Sequence, residues 1–247
     1  MVLRNMKTKE ELIQNSITRL RKSIKQGFQY SHLNNATSNK HLREYVSKRI
    51  PLYVIFVDLV DSTKMSQKIL PSQLGDVIRS FSQESTVIIE KYNGHILKFV
   101  GDAVVAYFIP KNDSKKIAND VIKCAQTIID VTKMSANPIL EENHLPPLHL
   151  HIGIDFGLCS VLLYGTDKKK SHIDLIGNTI NMAAKMQAAA DVDEIIIGKK
   201  IHEKLEDQRD WKKIIDKNIW KYDYEVFSNL NNDRKSLFEN RDRVDHG

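Results

Sequence analysis

The sequence predicts an α+β fold: a ferredoxin-like core with an antiparallel-rich sheet, helices packed on that sheet, and further α/β elements towards the C-terminus. Two observations predict it. Short runs rich in Val, Ile and Phe, typical of buried strands, alternate with longer stretches whose apolar residues recur every three or four positions. The order of these segments, β-α-β-β-α-β-β-α-β-α-β, begins with the βαββαβ unit of ferredoxin-like sheets.

The N-terminal segment, residues 1–49, is predicted to be a basic helical extension followed by a linker. Its helix, over about residues 8–28, carries an apolar stripe made of Ile13, Ile17, Leu20, Ile24 and Phe28. The spacing is close to that of a heptad repeat, which indicates a helix that dimerises or couples the domain to another element. A polar linker at 31–40 and a short helix at 41–48 follow.

Residues 50–228 are predicted to form the main folded domain. The run LYVIFVDL at 52–59 predicts a buried strand, because it is continuously apolar and ends at polar residues. A helix is predicted over 71–92, where Pro71 suits the first turn. The two apolar runs HILKFV and AVVAYF flank Gly101-Asp102, which predicts a β-hairpin.

The second half of this domain continues the alternation of helices and strands. We expect a helix over 114–135, strands over 148–157 and 159–165, an Ala-rich helix over 177–190, a strand over 194–198, a short helix over 199–206 and a last strand over 224–227. The tail at 229–247 is charged and almost free of apolar residues, so we expect it to be disordered.

Composition excludes several classes of protein. Cys124 and Cys159 stand far apart and outside any metal-binding spacing, which excludes a disulfide scaffold and argues against a zinc site. No stretch approaches the ~18–20 apolar residues of a membrane span, and the N-terminus lacks the apolar run of a secretory signal, so we expect a cytoplasmic protein. Residues 1–50 carry eleven Lys/Arg and three Asp/Glu. Without a nucleic-acid-binding motif, a solvated helix face explains them better than a nucleic-acid partner.

Two aspartates stand at strand ends. Asp58 ends the first predicted strand, and Asp102 lies at the tip of the hairpin. In a ferredoxin-like sheet the first strand and the hairpin strand are neighbours. Two carboxylates on adjacent strand ends are a natural clamp for Mg²⁺ or Mn²⁺.

The surrounding residues carry a resemblance to a known family. The segments VIFVDLVDSTKMSQKI, LKFVGDAVVAYF and DLIGNTINMAAKMQAAA closely resemble the three signature blocks of class III adenylate/guanylate cyclase catalytic domains. They occur in the family's order, and the resemblance extends from about Pro51 to Phe227. It implies the nucleotide cyclase fold and a phosphorus–oxygen lyase that turns ATP into 3′,5′-cyclic AMP and pyrophosphate.

The resemblance assigns the metal and phosphate sites. Asp58 and Asp102 match the two aspartates that hold two divalent cations, Mg²⁺ or Mn²⁺, and the backbone carbonyl of Leu59 matches a further ligand. Asp61, Ser62 and Thr63 match the loop and helix N-terminus that receive the triphosphate, where free N–H groups favour phosphate.

The resemblance also assigns the recognition of the base. Lys98 matches the residue that donates to the ring nitrogen of adenine, where guanylate cyclases typically carry Glu, and Asp174 matches the acceptor for the 6-amino group. A donor and an acceptor in this order complement adenine, whereas guanine shows the reverse pattern. This argument favours an adenylate cyclase over a guanylate cyclase.

Three positions matter for catalysis or depart from the family pattern. Asn181 matches the residue that positions the ribose. Lys185, one helical turn later, stands where the family has an Arg that stabilises charge at the α-phosphate, so the planar fork of donors is lost. Asp61 stands where Gly is common. The family also often has a C-terminal lysine that contacts the terminal phosphates, and the resemblance offers Lys217 and Lys221 as candidates for it.

The family resemblance implies a homodimer with shared sites, because the metal aspartates of one subunit face the base-reading, Asn and Arg positions of the other. This chain carries both the metal aspartates and the residues that face them, so two copies of it can form complete sites without a different subunit. Two alternatives stay open. The departure at Lys185 allows a degenerate cyclase fold that binds nucleotide or a partner without turnover, and the N-terminal basic helix allows an interaction module.

Overall fold

The computed structural model describes residues 2–26, 40–110, 114–167, 170–214 and 218–222. The predicted strand at 224–227, the tail at 229–247 and most of the linker at 31–40 lie outside these residues, and so does Lys217.

The strands among the described residues form one sheet. They are β1 (Arg49–Leu59), β2 (His95–Val100), β3 (Ala103–Phe108), β4 (Leu150–Tyr164), β5 (His172–Ile176), β6 (Glu194–Gly198), β7 (Trp211–Lys213) and β8 (Ile219–Tyr222). Their order is β2-β3-β1-β4-β6-β8-β7, with β5 paired to β4. All pairings are antiparallel except that of β4 with β6. The order β2-β3-β1-β4 confirms the predicted ferredoxin-like core.

The predicted helices are present, with differences at several bounds. The helices predicted at 41–48 and 199–206 are shorter, at residues 40–43 and Lys199–His202, and the helix at Asn137–Glu142 was not predicted. The helices are α1 (Val2–Gln26), α2 (residues 40–43), α3 (Ser62–Ser66), α4 (Pro71–Lys91), α5 (Ser114–Val131), a π-helix (Thr132–Ala136), α6 (Asn137–Glu142), α7 (Asn178–Ala188) and α8 (Lys199–His202). The helix predicted over 114–135 leaves α geometry at Val131. Pro138 has no N–H to offer the carbonyl of Met134, so the turn before it widens before the chain resumes as α6.

Side chains of β1 alternate between two hydrophobic clusters. Tyr53, Ile55 and Val57 pack towards α4 and α5. Leu52 and Val54 point to the opposite face, where α2 and α7 cover part of the sheet. This alternation fixes the register of β1 and therefore the place where its last residues end.

The long strand β4 corrects a predicted boundary. Strands at 148–157 and 159–165 were expected to be separate, but β4 is continuous from Leu150 to Tyr164. Gly157, inside this strand, allows helix α7 to approach closely. A Cβ there would lie 2.5 Å from Oγ1 of Thr179, at the start of α7. The sequence does not predict β5, β7 or β8, because these short strands lack a continuous apolar run.

Helix α1 lies against the helical layer of its own chain. Of the predicted stripe, Ile13 and Leu20 are buried within this chain and Ile17 is half-buried. The side chain of Ile24 and the whole of Phe28 lie outside the described part of the chain. Arg19 donates to both carboxylate oxygens of Glu84 on α4, and Ser135 donates to Ser16. Part of the basic charge of the N-terminal segment is therefore neutralised by this packing. Within the described part of the chain, no helix combines the length and apolar character needed to cross a membrane.

Candidate active site

The two predicted metal-binding aspartates lie at the same end of the sheet. Asp58 is the penultimate residue of β1, and Asp102 follows Gly101 in the turn between β2 and β3. Val57 pairs with Val104, so the turn that carries Asp102 closes beside the end of β1. Gly101 has a φ of 61°, a left-handed conformation that glycine adopts without strain.

The two carboxyl groups influence each other. Burial raises the pKa of Asp58, and the charge of Asp102 raises it further. The backbone N–H of Leu59, His151 and the side chain of Gln187 act in the opposite direction. Within the described residues, Oδ2 of Asp102 is buried and has no hydrogen-bond partner. A cation held between the carboxylates would satisfy this oxygen and offset their repulsion.

The donor set fits divalent cations that are shared with a substrate. No group of three or more His, Cys, Asp and Glu side chains suited to a metal occurs among the residues that the structure describes. Mg²⁺ is commonly held by one or two carboxylates, with substrate phosphates and water filling the other positions. Leu59, the predicted backbone ligand, directly follows Asp58 at the end of β1.

The predicted phosphate loop follows β1 immediately. Asp61 has a φ of 55° and precedes α3, whose first residues are Ser62 and Thr63. The left-handed backbone explains why a glycine is common here, and aspartate is among the few other residues that tolerate it. Nζ of Lys64 lies 2.9 Å from Oδ1 of Asp61, so this carboxylate has a cationic partner beside the loop.

The two predicted base-reading residues form an ion pair within one chain. Nζ of Lys98 on β2 lies 2.5 Å from Oδ2 of Asp174 on β5. The backbone N–H of Leu175 donates to Oδ1 of the same carboxylate at 2.8 Å. The β2–β3 register shifts between Ile96 and Lys98, which re-aims the lysine. Their side chains keep 31% and 14% of their exposure, so a ligand can reach both.

The predicted catalytic residues lie on α7. Asn181 and Lys185 are four positions apart on this helix and both are exposed, so they form one accessible polar face. Helix α7 begins at Asn178 after Gly177, whose φ of 139° is open to glycine alone. The structure therefore presents the Asn181–Lys185 face towards solvent in a single chain.

Sequence reasoning missed Gln187. Its Nε2 donates to Oδ2 of Asp58 at 2.9 Å, across 129 positions of the chain. His151, opposite Asp58 in the β1–β4 register, was missed as well. The only available signal for Gln187 was a long polar residue in an Ala-rich helix, which by itself is typical of a solvated position.

One of the two C-terminal lysines can be placed. Lys221 lies on β8, and its Nζ is 3.0 Å from Oε1 of Glu194 and 3.9 Å from Oδ2 of Asp191. It therefore has two acidic neighbours in the single chain, which a phosphate would have to displace.

Comparisons with known proteins agree with this arrangement. The family described as "Adenylate and Guanylate cyclase catalytic domain" matches residues 45–219. A cytidylate cyclase of Staphylococcus aureus is 30% identical over 169 residues, which is 66% of this chain and 40% of that protein. A cytidylate cyclase of Escherichia coli is 26% identical over 162 residues, which is 62% of this chain and 35% of that protein.

Among solved structures, the adenylyl cyclase CyaB from P. aeruginosa shares the fold with a TM-score of 0.62 and 24% identity, over 71% of this chain and 94% of that one. This chain spans less than half the length of the two curated relatives. The family match covers most of the described residues, including β1, the β2–β3 turn and α7. The chain therefore belongs to the adenylate and guanylate cyclase catalytic domain family.

Proposed function

We propose that this chain converts ATP to 3′,5′-cyclic AMP and pyrophosphate, at sites shared between two copies of the chain in the cytoplasm. The observation that carries the choice of base, adenine or cytosine over guanine, is the Lys98–Asp174 pair, which brings a donor and an acceptor together across 76 positions of sequence. The two side chains lie on separate strands and remain partly accessible.

The pair favours bases whose Watson–Crick edge places an amino donor beside a ring-nitrogen acceptor. Adenine offers an amino donor beside a ring-nitrogen acceptor, so the amino group can donate to Asp174 while the ring nitrogen accepts from Lys98. Guanine offers a carbonyl acceptor beside an N–H donor. Its carbonyl would face the acceptor Asp174, and its N–H would face the donor Lys98. Sites built on such hydrogen bonds reject a mispaired analogue strongly, because their own polar groups are left unsatisfied.

Asp58 and Asp102, the acidic pair at the end of the sheet, support metal-assisted attack on the α-phosphorus. Two bound divalent cations, Mg²⁺ or Mn²⁺, would supply activation of the ribose 3′-hydroxyl and neutralisation of the triphosphate. Asp58, Asp102 and the carbonyl of Leu59 would hold them. Asp61, Ser62 and Thr63 would place the phosphates, with the Lys64–Asp61 pair limiting repulsion from the aspartate.

The exposed face of α7 supports catalysis across a dimer interface. Asn181 would orient the ribose and Lys185 would stabilise charge on the α-phosphate of the nucleotide bound to the metal aspartates of the other copy. A lysine keeps the positive charge of the family's arginine but offers a single point of contact. The symmetric arrangement gives two equivalent sites.

A cytidylate cyclase is the second candidate, and the two cytidylate cyclase relatives favour it. Cytosine, like adenine, carries an amino donor beside a ring-nitrogen acceptor, so Lys98 and Asp174 complement it equally well. The ion pair therefore supports ATP and CTP over GTP and UTP. The choice between ATP and CTP then depends on the size of the base that the site accommodates.

The decisive experiment offers ATP, CTP, GTP and UTP singly to the purified protein with Mn²⁺ or Mg²⁺, and identifies cyclic products by mass spectrometry. We expect a cyclic product from ATP and its loss in Asp58→Asn, while Asp76→Asn on the exposed face of α4 retains it. Product from CTP alone would replace the adenylate proposal with the cytidylate one. Product from GTP or UTP alone would contradict the role of Lys98 and Asp174.

The variant Lys185→Arg tests the alternative of a degenerate cyclase. Restoring the planar fork should raise kcat by about 10–200-fold, which corresponds to ~1–3 kcal/mol of transition-state stabilisation. Cyclic product that appears only in Lys185→Arg would show that the natural chain does not turn nucleotide over and would support the degenerate cyclase. Equal kcat for both proteins would show that lysine suffices.

A further inference from the structure

Helix α7 reaches the acidic pair of its own chain through one side chain. Nε2 of Gln187 donates to Oδ2 of Asp58 at 2.9 Å. We propose that Gln187 is a positioning residue that holds the Asp58 carboxylate ready for metal, so that α7 serves the metal site of its own chain with one face and the site of the second copy with the other. This inference rests on the proposed function and deepens it.

The backbone of Gln187 is held tightly against the sheet. A Cβ on Gly153 of β4 would lie 2.2 Å from the backbone nitrogen of Gln187 and 2.1 Å from the carbonyl oxygen of Ala183. Gly153 therefore lets α7 approach β4 more closely than any other residue would allow. Gly153 pairs with Phe56, two residues before Asp58 on β1, so this contact sets the position from which the glutamine reaches the carboxylate.

A neutral amide suits this role. Asp58 and Asp102 repel each other, and repulsion favours conformers in which the Asp58 carboxylate turns away from the site. A lysine or arginine would hold the carboxylate but would also cancel the charge that attracts a cation. The amide of Gln187 occupies one lone pair of Oδ2 and leaves the negative charge in place. Hydrogen bonds of this kind to metal-ligating carboxylates commonly contribute 10–100-fold to metal affinity.

The other face of α7 points elsewhere. Gln187 follows Lys185 by two positions, and residues two apart on a helix do not share a face. Asn181 and Lys185 are exposed, whereas Gln187 is half-buried at the acidic pair. In a symmetric dimer, loss of the Gln187 amide should therefore affect the site that contains the Asp58 of the same chain.

Mn²⁺ binding tests the proposal without turnover. Wild type, Gln187→Met and Gln126→Met are titrated with Mn²⁺, alone and with 3′-deoxy-ATP or 3′-deoxy-CTP, and free Mn²⁺ is followed by electron paramagnetic resonance. The control removes a half-buried glutamine from α5, whose buried residues belong to a different hydrophobic cluster from Ala183 of α7. We expect Mn²⁺ affinity to fall by about 10–100-fold in Gln187→Met and to stay unchanged in Gln126→Met.

Mn²⁺ affinity within twofold of wild type in a folded Gln187→Met would overturn the role of Gln187 while leaving the metal site intact. Failure of the wild type itself to bind Mn²⁺, with or without nucleotide, would instead count against the metal site and the proposed function. Thermal unfolding of each variant shows whether it folds.

Mixed dimers separate the two faces of α7. One copy carries Asp58→Ala and the other carries Asn181→Ala, and the mixed dimer is purified through two different tags. Its one intact site takes Asp58 from the Asn181→Ala copy and Asn181 from the Asp58→Ala copy. Adding Gln187→Met to the copy with intact Asp58 should raise the Mn²⁺ concentration needed for half-maximal rate. If Gln187→Met raised this Mn²⁺ concentration only when introduced into the copy that supplies Asn181, the proposal would be contradicted. Gln187 would then act through Asn181 and Lys185.

Discussion

The Lys98–Asp174 ion pair concentrates the choice of base in two side chains. The lysine is the only donor of the pair, and its loss would leave Asp174 without a cationic partner at 14% exposure. In Lys98→Met we expect kcat/KM for the preferred nucleotide to fall by about 100-fold, because a charged hydrogen bond to the base is removed. The rate with GTP should fall much less, so that selectivity collapses.

The measurement is kcat/KM with ATP, CTP and GTP for Lys98→Met beside Lys123→Met, which removes an exposed lysine from α5. An equal fall in kcat/KM for all three nucleotides would mean that Lys98 acts on phosphate or on folding rather than on the base.

A second carboxylate, Asp155 on β4, titrates in an unusual range. Burial raises its pKa to about 6, against smaller opposing effects of the backbone N–H of Phe156 and the charge of Lys200. The folded state therefore binds this proton more tightly than the unfolded state. Its ionisation therefore lowers the free energy of unfolding as the pH rises from about 4 through about 6. Above that range the stability contributed by the bound proton is lost completely.

Asp155→Asn should therefore stabilise the protein in a pH-dependent way. Because burial raises the pKa of Asp155 to about 6, we expect a gain in unfolding free energy of about 1–3 kcal/mol at pH 8 and almost none at pH 4. Urea unfolding at the two pH values measures it. A gain of the same size at both pH values would show that packing, rather than ionisation, makes Asp155 unfavourable.

At the scale of elements, the contact of α7 with β4 is the tightest constraint on the site. In Gly153→Ala the added methyl group would meet backbone atoms of Ala183 and Gln187 at 2.1 and 2.2 Å, and backbone cannot rotate away as a side chain can. We expect the free energy of unfolding to fall by about 2–4 kcal/mol and the Tm to fall by about 5–15 °C. Nucleotide turnover should fall as well, because the Gln187–Asp58 distance depends on this contact.

Gly75→Ala is the matched control for that prediction. Gly75 lies inside α4, where a Cβ would meet only the flexible end of Arg79 at 3.1 Å. Alanine is favoured over glycine inside a helix by about 0.5–1 kcal/mol, so its Tm should rise slightly or stay the same. A Tm of Gly153→Ala equal to that of the wild type would show that α7 can shift, and that its place on β4 is not fixed.

The elements differ in how far the sequence predicts them, for physical reasons. β1, the β2–β3 hairpin and α4 follow from local patterns of apolar residues and turn residues, so their bounds agree closely with the structure. β5 is half polar because Asp174 points to Lys98, and its strand character comes only from pairing with β4. The Gln187–Asp58 contact depends on close packing at Gly153, which no local pattern encodes.

For the whole molecule, the functional groups fall into two separated sets. One set consists of Asp58 at the end of β1, Asp102 in the β2–β3 turn, and Gln187, which reaches Asp58 from α7. The other, Asn181 and Lys185, lies on the exposed side of α7. Under the proposed twofold arrangement, each complete site takes one set from each copy, so damage to different sets in different copies can be complementary.

Mixing the two damaged chains tests this arrangement directly. Asp58→Ala and Asn181→Ala should each be inactive alone, whereas an equal mixture that exchanges subunits should regain about a quarter of the wild-type activity. Half of the dimers are then mixed, and each mixed dimer has one of its two sites intact. A mixture of Asp58→Ala with Asp102→Ala is the control, because both changes damage the same set and no intact site can form. Recovery in the control would contradict the assignment of the two sets, and no recovery in the first mixture, with subunit exchange verified by differently tagged chains, would contradict the shared site.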